Sequence, residues 1–262
     1  MQDNAGISSH IITVGNEVLS GRVLDRNSHW ISGMLSKKGF EITHRSAVKD
    51  DLDAISKEIK HSLKSFPSLL IITGGLGPTF DDKTSEALSL ALKRKHAIHK
   101  DALAQVRKSY RKFFEAGAVS SKALTPERKK MAFMPLGGIP LPNNVGTAPG
   151  IFIRQRKTTI ILLPGVPKEM KDIMVNSVLP LLNENTSGAV LVEKTIFTLF
   201  RDESKLAPLI ERAMRKIPRV YIKSSPDKFS KDTKIKVTIS AKASDKKSAS
   251  LLIEKAVELL KL

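Results

Sequence analysis

The sequence predicts an α/β protein, a mostly parallel sheet covered by helices on both faces, followed by a second, smaller α+β domain. Three observations predict this class. The first 73 residues alternate β-rich runs with helical spacing in the order βαβαβ. The run Leu69–Thr73 is continuously apolar, as a strand buried on both faces requires. After a polar, glycine-ended break at 183–188 the pattern changes to β-α-β-β-α.

The elements follow in order. Residues 10–14 read as a strand, and 27–38 as a helix with Trp30, Ile31, Met34 and Leu35 on one stripe. Phe40–Val48 alternates like a strand, 52–63 has helical spacing through Ile55 and Ile59, and Leu69–Thr73 closes the unit. Past Gly74 a helix is expected over 84–93, then a very basic helical stretch around Leu103, Val106, Tyr110 and Phe113. Strands at 151–153 and 159–163 flank a turn at 154–157, and a helix runs over 168–182. These make a first domain of residues 1–188. Residues 189–262 form the second, with strands at 190–200, 219–224 and 234–243 and helices at 203–216 and 248–260. That order is loosely similar to nucleic-acid-binding KH modules, which clamp the backbone with a GXXG loop. No glycine lies beyond Gly188, so the clamp is missing.

The chain has no cysteine, which excludes a disulfide scaffold, a cysteine nucleophile and any thiolate metal site. A metal would have to be held by oxygen or imidazole. The longest aliphatic runs, 69–72 and 160–163, fall far short of the roughly 20 apolar residues of a membrane span. With no basic-then-apolar leader at the N-terminus, a cytoplasmic protein without a membrane role is expected. The formal charge of +18 attracts polyanions, either nucleic acid or phosphorylated small molecules. Two tyrosines, one tryptophan and ten mostly core-patterned phenylalanines give weak support to a base-stacking platform, and no motif supports nucleic-acid binding.

The buried strand runs directly into Gly74-Gly75-Leu76-Gly77-Pro78-Thr79-Phe80-Asp81-Asp82-Lys83-Thr84. Three glycines in four positions let a ligand approach the peptide N–H groups, at the sheet edge where phosphorylated ligands bind in open α/β folds. It is neither a P-loop nor a dinucleotide fingerprint. Two carboxylates there would repel the anion that the helix N-terminus attracts, and a divalent cation would resolve the conflict. The alternative is that one aspartate caps the next helix. Gly15-Asn16-Glu17 and Asp25-x-Asn27 bring more polar groups to the same edge, Asn27 being also a candidate helix cap. Asp50, ending the second strand, would face the same crevice as Asp82, or cap the second helix as would Asp51. Asn144 to Gly150 and Leu163 to Met170 are Gly/Pro loops beside strands. His96-x-x-His99 is the one close histidine pair, and metal binding there is disfavoured.

Taken in order, Gly15-Asn16-Glu17, Asp25-x-Asn27, Thr73-Gly-Gly-Leu-Gly-Pro-Thr-x-Asp-Asp-x-Thr84, Asn144-x-x-Gly-Thr-Ala-Pro-Gly150 and Leu163-Pro-Gly-Val-Pro-x-Glu-Met170 resemble the CinA family, the competence/damage-inducible branch of the MoaB/Mog molybdopterin-binding superfamily. The resemblance implies a three-layer MoaB/Mog-like domain that binds adenine-containing or pterin phosphates in a metal-assisted site. It implies further that 189–262 is the family's small middle domain, that the nicotinamide-mononucleotide amidase domain of longer members is not part of this chain, and that the protein forms a homo-oligomer. The first expectation is metal-dependent (Mg²⁺, Mn²⁺ or Co²⁺) hydrolysis of a nucleotide diphosphate sugar such as ADP-ribose to AMP and ribose 5-phosphate. In that reading Asp82, with Asp50 or Asp81, holds the metal, and Glu17 orders a hydroxyl or the attacking water. Gly74, Gly75 and Gly77 meet the diphosphate, and Lys168 offsets developing charge. Thr79, Asn27, Asn144, Gly146, Pro164, Gly165 and Glu169 complete the substrate site. The alternative is a molybdopterin-binding or adenylylating protein of molybdenum-cofactor biosynthesis using the same loop. A third expectation is a non-enzymatic nucleic-acid-binding protein using the basic tail.

Overall fold

The computed structural model describes residues 7–183, 190–198, 200, 202–226 and 235–260. It divides into two compact units, Met1–Leu35 with Phe40–Asn185, and Ser36–Gly39 with Thr186–Leu262.

The first unit is built on strands β1 (Ile7–Val14), β2 (Phe40–Val48) and β3 (Leu69–Thr73), with helices α1 (Asn16–Leu19), α2 (Arg26–Lys37) and α3 (Leu52–Lys64) between them. Helix α4 (Thr84–Leu92), strand β4 (His96–Ile98), helices α5 (Lys100–Glu115) and α6 (Pro126–Lys130), and strands β5 (Phe133–Pro135) and β6 (Ile139–Leu141) follow. Strands β7 (Gly150–Gln155) and β8 (Thr158–Leu163) precede α7 (Pro167–Ile173), a π-helical turn at Met174–Val178 and α8 (Leu179–Asn183). The six-stranded sheet has the order β2-β1-β3-β8-β7-β6. The first four strands are mutually parallel, whereas β8 and β7 form an antiparallel hairpin to which β6 adds.

Every residue of β3 is buried, and its alternation feeds two cores. Leu70 and Ile72 pack with Ile55, Ile59, Leu88 and Val106 on one face. Leu69 and Ile71 pack with Ile31, Leu35, Met170 and Ile173 on the other. Burial of each such side chain contributes about 1.5–3 kcal/mol, which explains why an uninterrupted aliphatic run marks the centre of a three-layer sandwich. The helix expected over 168–182 is present with a π turn in its middle. Pro180, four residues after Asn176, has no amide to donate back into that turn, and a proline there disfavours a regular α-helical turn.

The second unit is a three-stranded antiparallel sheet of order β10-β11-β9, made of β9 (Val190–Phe197), β10 (Val220–Pro226) and β11 (Ile235–Ala243). Helices α9 (Glu203–Lys216) and α10 (Lys246–Leu260) pack on it around Leu206, Ile210, Val237, Ile239 and Ile253. The β-α-β-β-α order expected from the sequence is the order observed. Among the described residues no helix is long and apolar enough to cross a membrane.

Candidate functional site

Strand order 2-1-3 means the chain leaves β1 to one side for β2 and returns to the other side for β3. The carboxyl ends of β1 and β3 are therefore a topological switch point, where connections diverge and leave a crevice. Gly15-Asn16-Glu17 follows β1 there and the glycine loop follows β3.

The loop is closely packed at its root. Gly74 has φ +107°, and a Cβ on it would lie 2.1 Å from the Val14 carbonyl oxygen, so only glycine joins β3 to the loop at this distance. Its amide donates to the Leu163 carbonyl (3.0 Å) and the Thr84 amide donates to the Gly75 carbonyl (3.1 Å). Among the described residues the amides of Gly75, Leu76 and Gly77 donate to no protein acceptor. They form a short run of free donors, the kind of concavity that takes an anion.

Asp82 does not cap α4, whose N-cap position is Lys83 without a side-chain bond. It turns back on the loop, accepting from the Thr79 amide (2.9 Å) and hydroxyl (2.6 Å), while Asp81 shares that hydroxyl. Gly77 makes room for this brace, since a Cβ there would sit 2.5 Å from Asp82 Oδ2. The Lys130 ammonium donates to the Thr79 carbonyl. The Thr79 hydroxyl, then Lys130 and Lys83, hold the Asp81 carboxyl below its usual range. The repulsion between these aspartates and an anion is thus partly met by neighbouring lysines. No group of three or more histidine, aspartate or glutamate side chains among the described residues could hold a metal ion. Asp81 and Asp82, the ligands expected for a metal, both accept from the Thr79 hydroxyl.

Asp50 does reach the crevice. Asp51 caps α3 through the Ala54 amide (2.9 Å), leaving Asp50 to accept from the Asn16 amide (2.7 Å). Burial pushes the Asp50 carboxyl above its usual value; the Asn16 amide opposes this, and the charges of Glu17, Asp81 and Asp82 add to it.

Asn27 is not the cap of α2 either. Asp25 accepts from the Ser28 amide (2.9 Å) and holds Thr13 (2.8 Å), while Asn27 Nδ2 donates to the Gly165 carbonyl (2.8 Å) and Thr73 Oγ1 (3.2 Å). Thr73 in turn donates to the Pro164 carbonyl (3.0 Å), so Asn27 ties β3 to the loop after β8. Asn27 Oδ1 is buried and has no partner.

Two cavities flank the glycine loop. One, about 340 Å³, is lined by Gly75, Leu76, Gly77, Asp82, Ser85, Glu86, His96, Lys130 and apolar Met131, Phe133, Pro149 and Ile151. The other, about 430 Å³, is lined by Thr13, Glu17, Arg22, Asp25, Arg26, Asn27, Thr73 and Gly165. In the first, Ser85 donates to the Phe133 carbonyl (2.8 Å), and its hydroxyl oxygen lies 3.2 Å from His96 Nε2. Burial holds His96 below its usual pKa. His99 caps α5 through the Asp101 amide, so the two histidines serve different ends.

The remaining expected residues support loops. Asn144 binds Asp172 through its amide (2.9 Å) and side chain (3.0 Å), and lines neither cavity. Its neighbour Asn143, which sequence reasoning passed over, organises the loop: it donates to Glu169 (2.5 Å) and the Ala148 carbonyl (2.8 Å) and accepts from the Gly146 amide (2.8 Å). An asparagine three residues before a glycine is a turn signal that could have found it. Gly146 leaves space for Glu169, whose carboxylate would lie 2.0 Å from a Cβ there. Lys168 is exposed and lines neither cavity.

Residues 10–184 match the family model described as a probable molybdopterin binding domain. The chain belongs to that family. It is 41% identical to a Pyrococcus abyssi protein over 225 residues, covering 86% of this chain and 87% of the relative. A Pyrococcus furiosus protein is 39% identical over 253 residues, with 97% and 95% covered. Among solved structures, CinA of Thermoplasma acidophilum, a protein of unknown function, is 36% identical with a TM-score of 0.60, covering 67% of this chain and 98% of that one. The glycine loop and both cavities lie within the residues the family model spans.

Proposed function

We propose that the cavity beside the glycine loop, lined by Gly75, Leu76, Gly77 and Glu86, binds a phosphorylated pterin of the molybdopterin type. The observation that carries this reading is the run of unpaired amides at Gly75, Leu76 and Gly77 opening onto a cavity with apolar walls and a carboxylate. The amides suit a phosphate. Leu76, Met131, Phe133 and Pro149 make a slot for a flat heteroaromatic ring, and a volume of about 340 Å³ suits a small ligand. Glu86 at the cavity favours a pterin over an adenine. An aminopyrimidinone edge offers two adjacent N–H donors to a carboxylate, whereas adenine sets an acceptor beside its amino group. The family description supports the same ligand.

Binding here needs no catalytic group. The loop supplies positioned donors, Lys130 adds positive charge, and Asn27 fixes the β3 and β8 loops against each other. Calorimetric titration with molybdopterin should show saturable binding that Glu86→Ala weakens about tenfold, the scale of one charge-assisted hydrogen bond. The same protein incubated with ADP-ribose and Mg²⁺, Mn²⁺ or Co²⁺ should release no AMP. Metal-dependent AMP release without pterin binding would replace this reading with the hydrolytic one.

A further inference from the structure

The sheet of the second unit has one covered and one open face. Along β11 burial alternates strictly: Ile235, Val237, Ile239, Ala241 and Ala243 are buried under α9 and α10, and Lys236, Thr238, Ser240 and Lys242 point the other way. Register extends this face across the sheet. Lys236, Thr238 and Ser240 lie opposite Phe197, Thr195 and Glu193 of β9, and opposite Ser225, Lys223 and Tyr221 of β10. The open face thus carries two aromatic rings, Phe197 and Tyr221, that are 60% and 62% exposed, the one other exposed large apolar side chain among the described residues of the unit being Leu251 on α10. Around them stand three lysines, a row of hydroxyls and one carboxylate. Among the described residues none of Lys223, Lys236 and Lys242 is in an ion pair.

We infer that this open face binds single-stranded nucleic acid, with bases stacked on Phe197 and Tyr221 and phosphates held by Lys223, Lys236 and Lys242. Charge complementarity selects the partner. The last 74 residues hold 17 basic against 9 acidic side chains, and unpaired lysines beside exposed rings on a β-surface combine backbone attraction with base stacking. A protein partner would find few apolar side chains beyond the two rings. A duplex would find no helix or ribbon to enter its groove. The rings lie four residues apart along the strands and two strands apart, a diagonal of roughly 17 Å, which a segment of about four nucleotides or more spans. The KH-like reading of this unit lacks its GXXG clamp; the open face is a different surface and needs none.

Fluorescence anisotropy of the full chain with labelled 12-nucleotide single strands, one RNA and one DNA, tests the assignment. Saturable binding is expected for at least one, weakening with salt at a log–log slope of about −2, the value for three phosphate contacts. Tyr221→Ala and Phe197→Ala should each weaken it about tenfold, and the triple variant K223A/K236A/K242A should flatten the salt dependence. A triple variant on the helical side, K216A/K247A/K255A, removes the same charge and should bind like the wild type. All of these side chains except the half-buried Lys242 are exposed, and unchanged circular dichroism melts establish that the variants fold. Equal losses from both triple variants, indifference to the two aromatic substitutions, tighter binding of the duplex 12-mer, tighter binding of anionic lipid vesicles, or no binding at all would overturn the assignment.

Discussion

The glycine loop and its supports work by exclusion as much as by contact, and Gly146 and Glu169 show it at the scale of single residues. A methyl group at Gly146 would occupy the place of the Glu169 carboxylate, so Gly146→Ala must displace Glu169 from Asn143 and open the loop after β6. A loss of about 2 kcal/mol, the cost of stranding a buried polar group, should appear in urea denaturation; a loss under about 0.5 kcal/mol would contradict the packing. Glu169 also titrates. Burial raises its carboxyl above the ordinary 4.5, with the Asn143 side chain and Thr147 amide pulling against burial. The fold therefore holds this proton more tightly than the unfolded chain does. The resulting stabilisation is complete below the ordinary value and is lost as pH climbs through the raised one. In Glu169→Gln that loss disappears, so the difference in urea midpoint between variant and wild type should shift in the variant's favour from pH 4.5 upward. A difference constant with pH would contradict it.

At the scale of elements, the caps decide which carboxylates are free. Asp51 holds the first turn of α3 while its neighbour Asp50 reaches Asn16. Asp51→Ala should lower the urea midpoint through loss of the α3 cap, and Asp50→Ala should leave that cap intact. β2 and α9 were legible because their apolar spacing is long enough to show a period, and β3 because its aliphatic run is unbroken; all three fall where the pattern places them. The strands β4, β5 and β6 were not, since three residues carry no period, and each exists by pairing with a neighbour rather than by propensity. The same limit applies to the site. The sequence shows that Gly74, Gly75, Gly77 and Asp82 share a loop, but not that Asp82 braces Thr79 instead of capping α4. Nor does it show that Asn143, not Asn144, organises the next loop, or that Asn27 spans 138 residues to reach Gly165. Those outcomes depend on which side chain faces which neighbour once the sheet has formed. Phe197 and Tyr221 were hidden for a related reason: only strand register shows that they share an open face.

For the whole molecule, the charge of +18 on 262 residues favours any change that screens it. The thermal midpoint should rise by a few degrees between about 20 and 200 mM NaCl, since the screening length shortens about threefold over that range; an unchanged or falling midpoint would show that repulsion is already balanced locally. The two units carry separate cores, and the ligands we propose for them fall on separate surfaces, a phosphorylated pterin in the cavity beside the glycine loop and a single strand on the open sheet. The central assignment is that the amides of Gly75, Leu76 and Gly77 receive the phosphate. The most direct test is the amide proton and nitrogen shifts of these three residues during titration with molybdopterin. All three should move together and saturate with one constant, their protons shifting downfield as hydrogen bonds form. Saturation by the ligand with these amides unmoved would contradict the account.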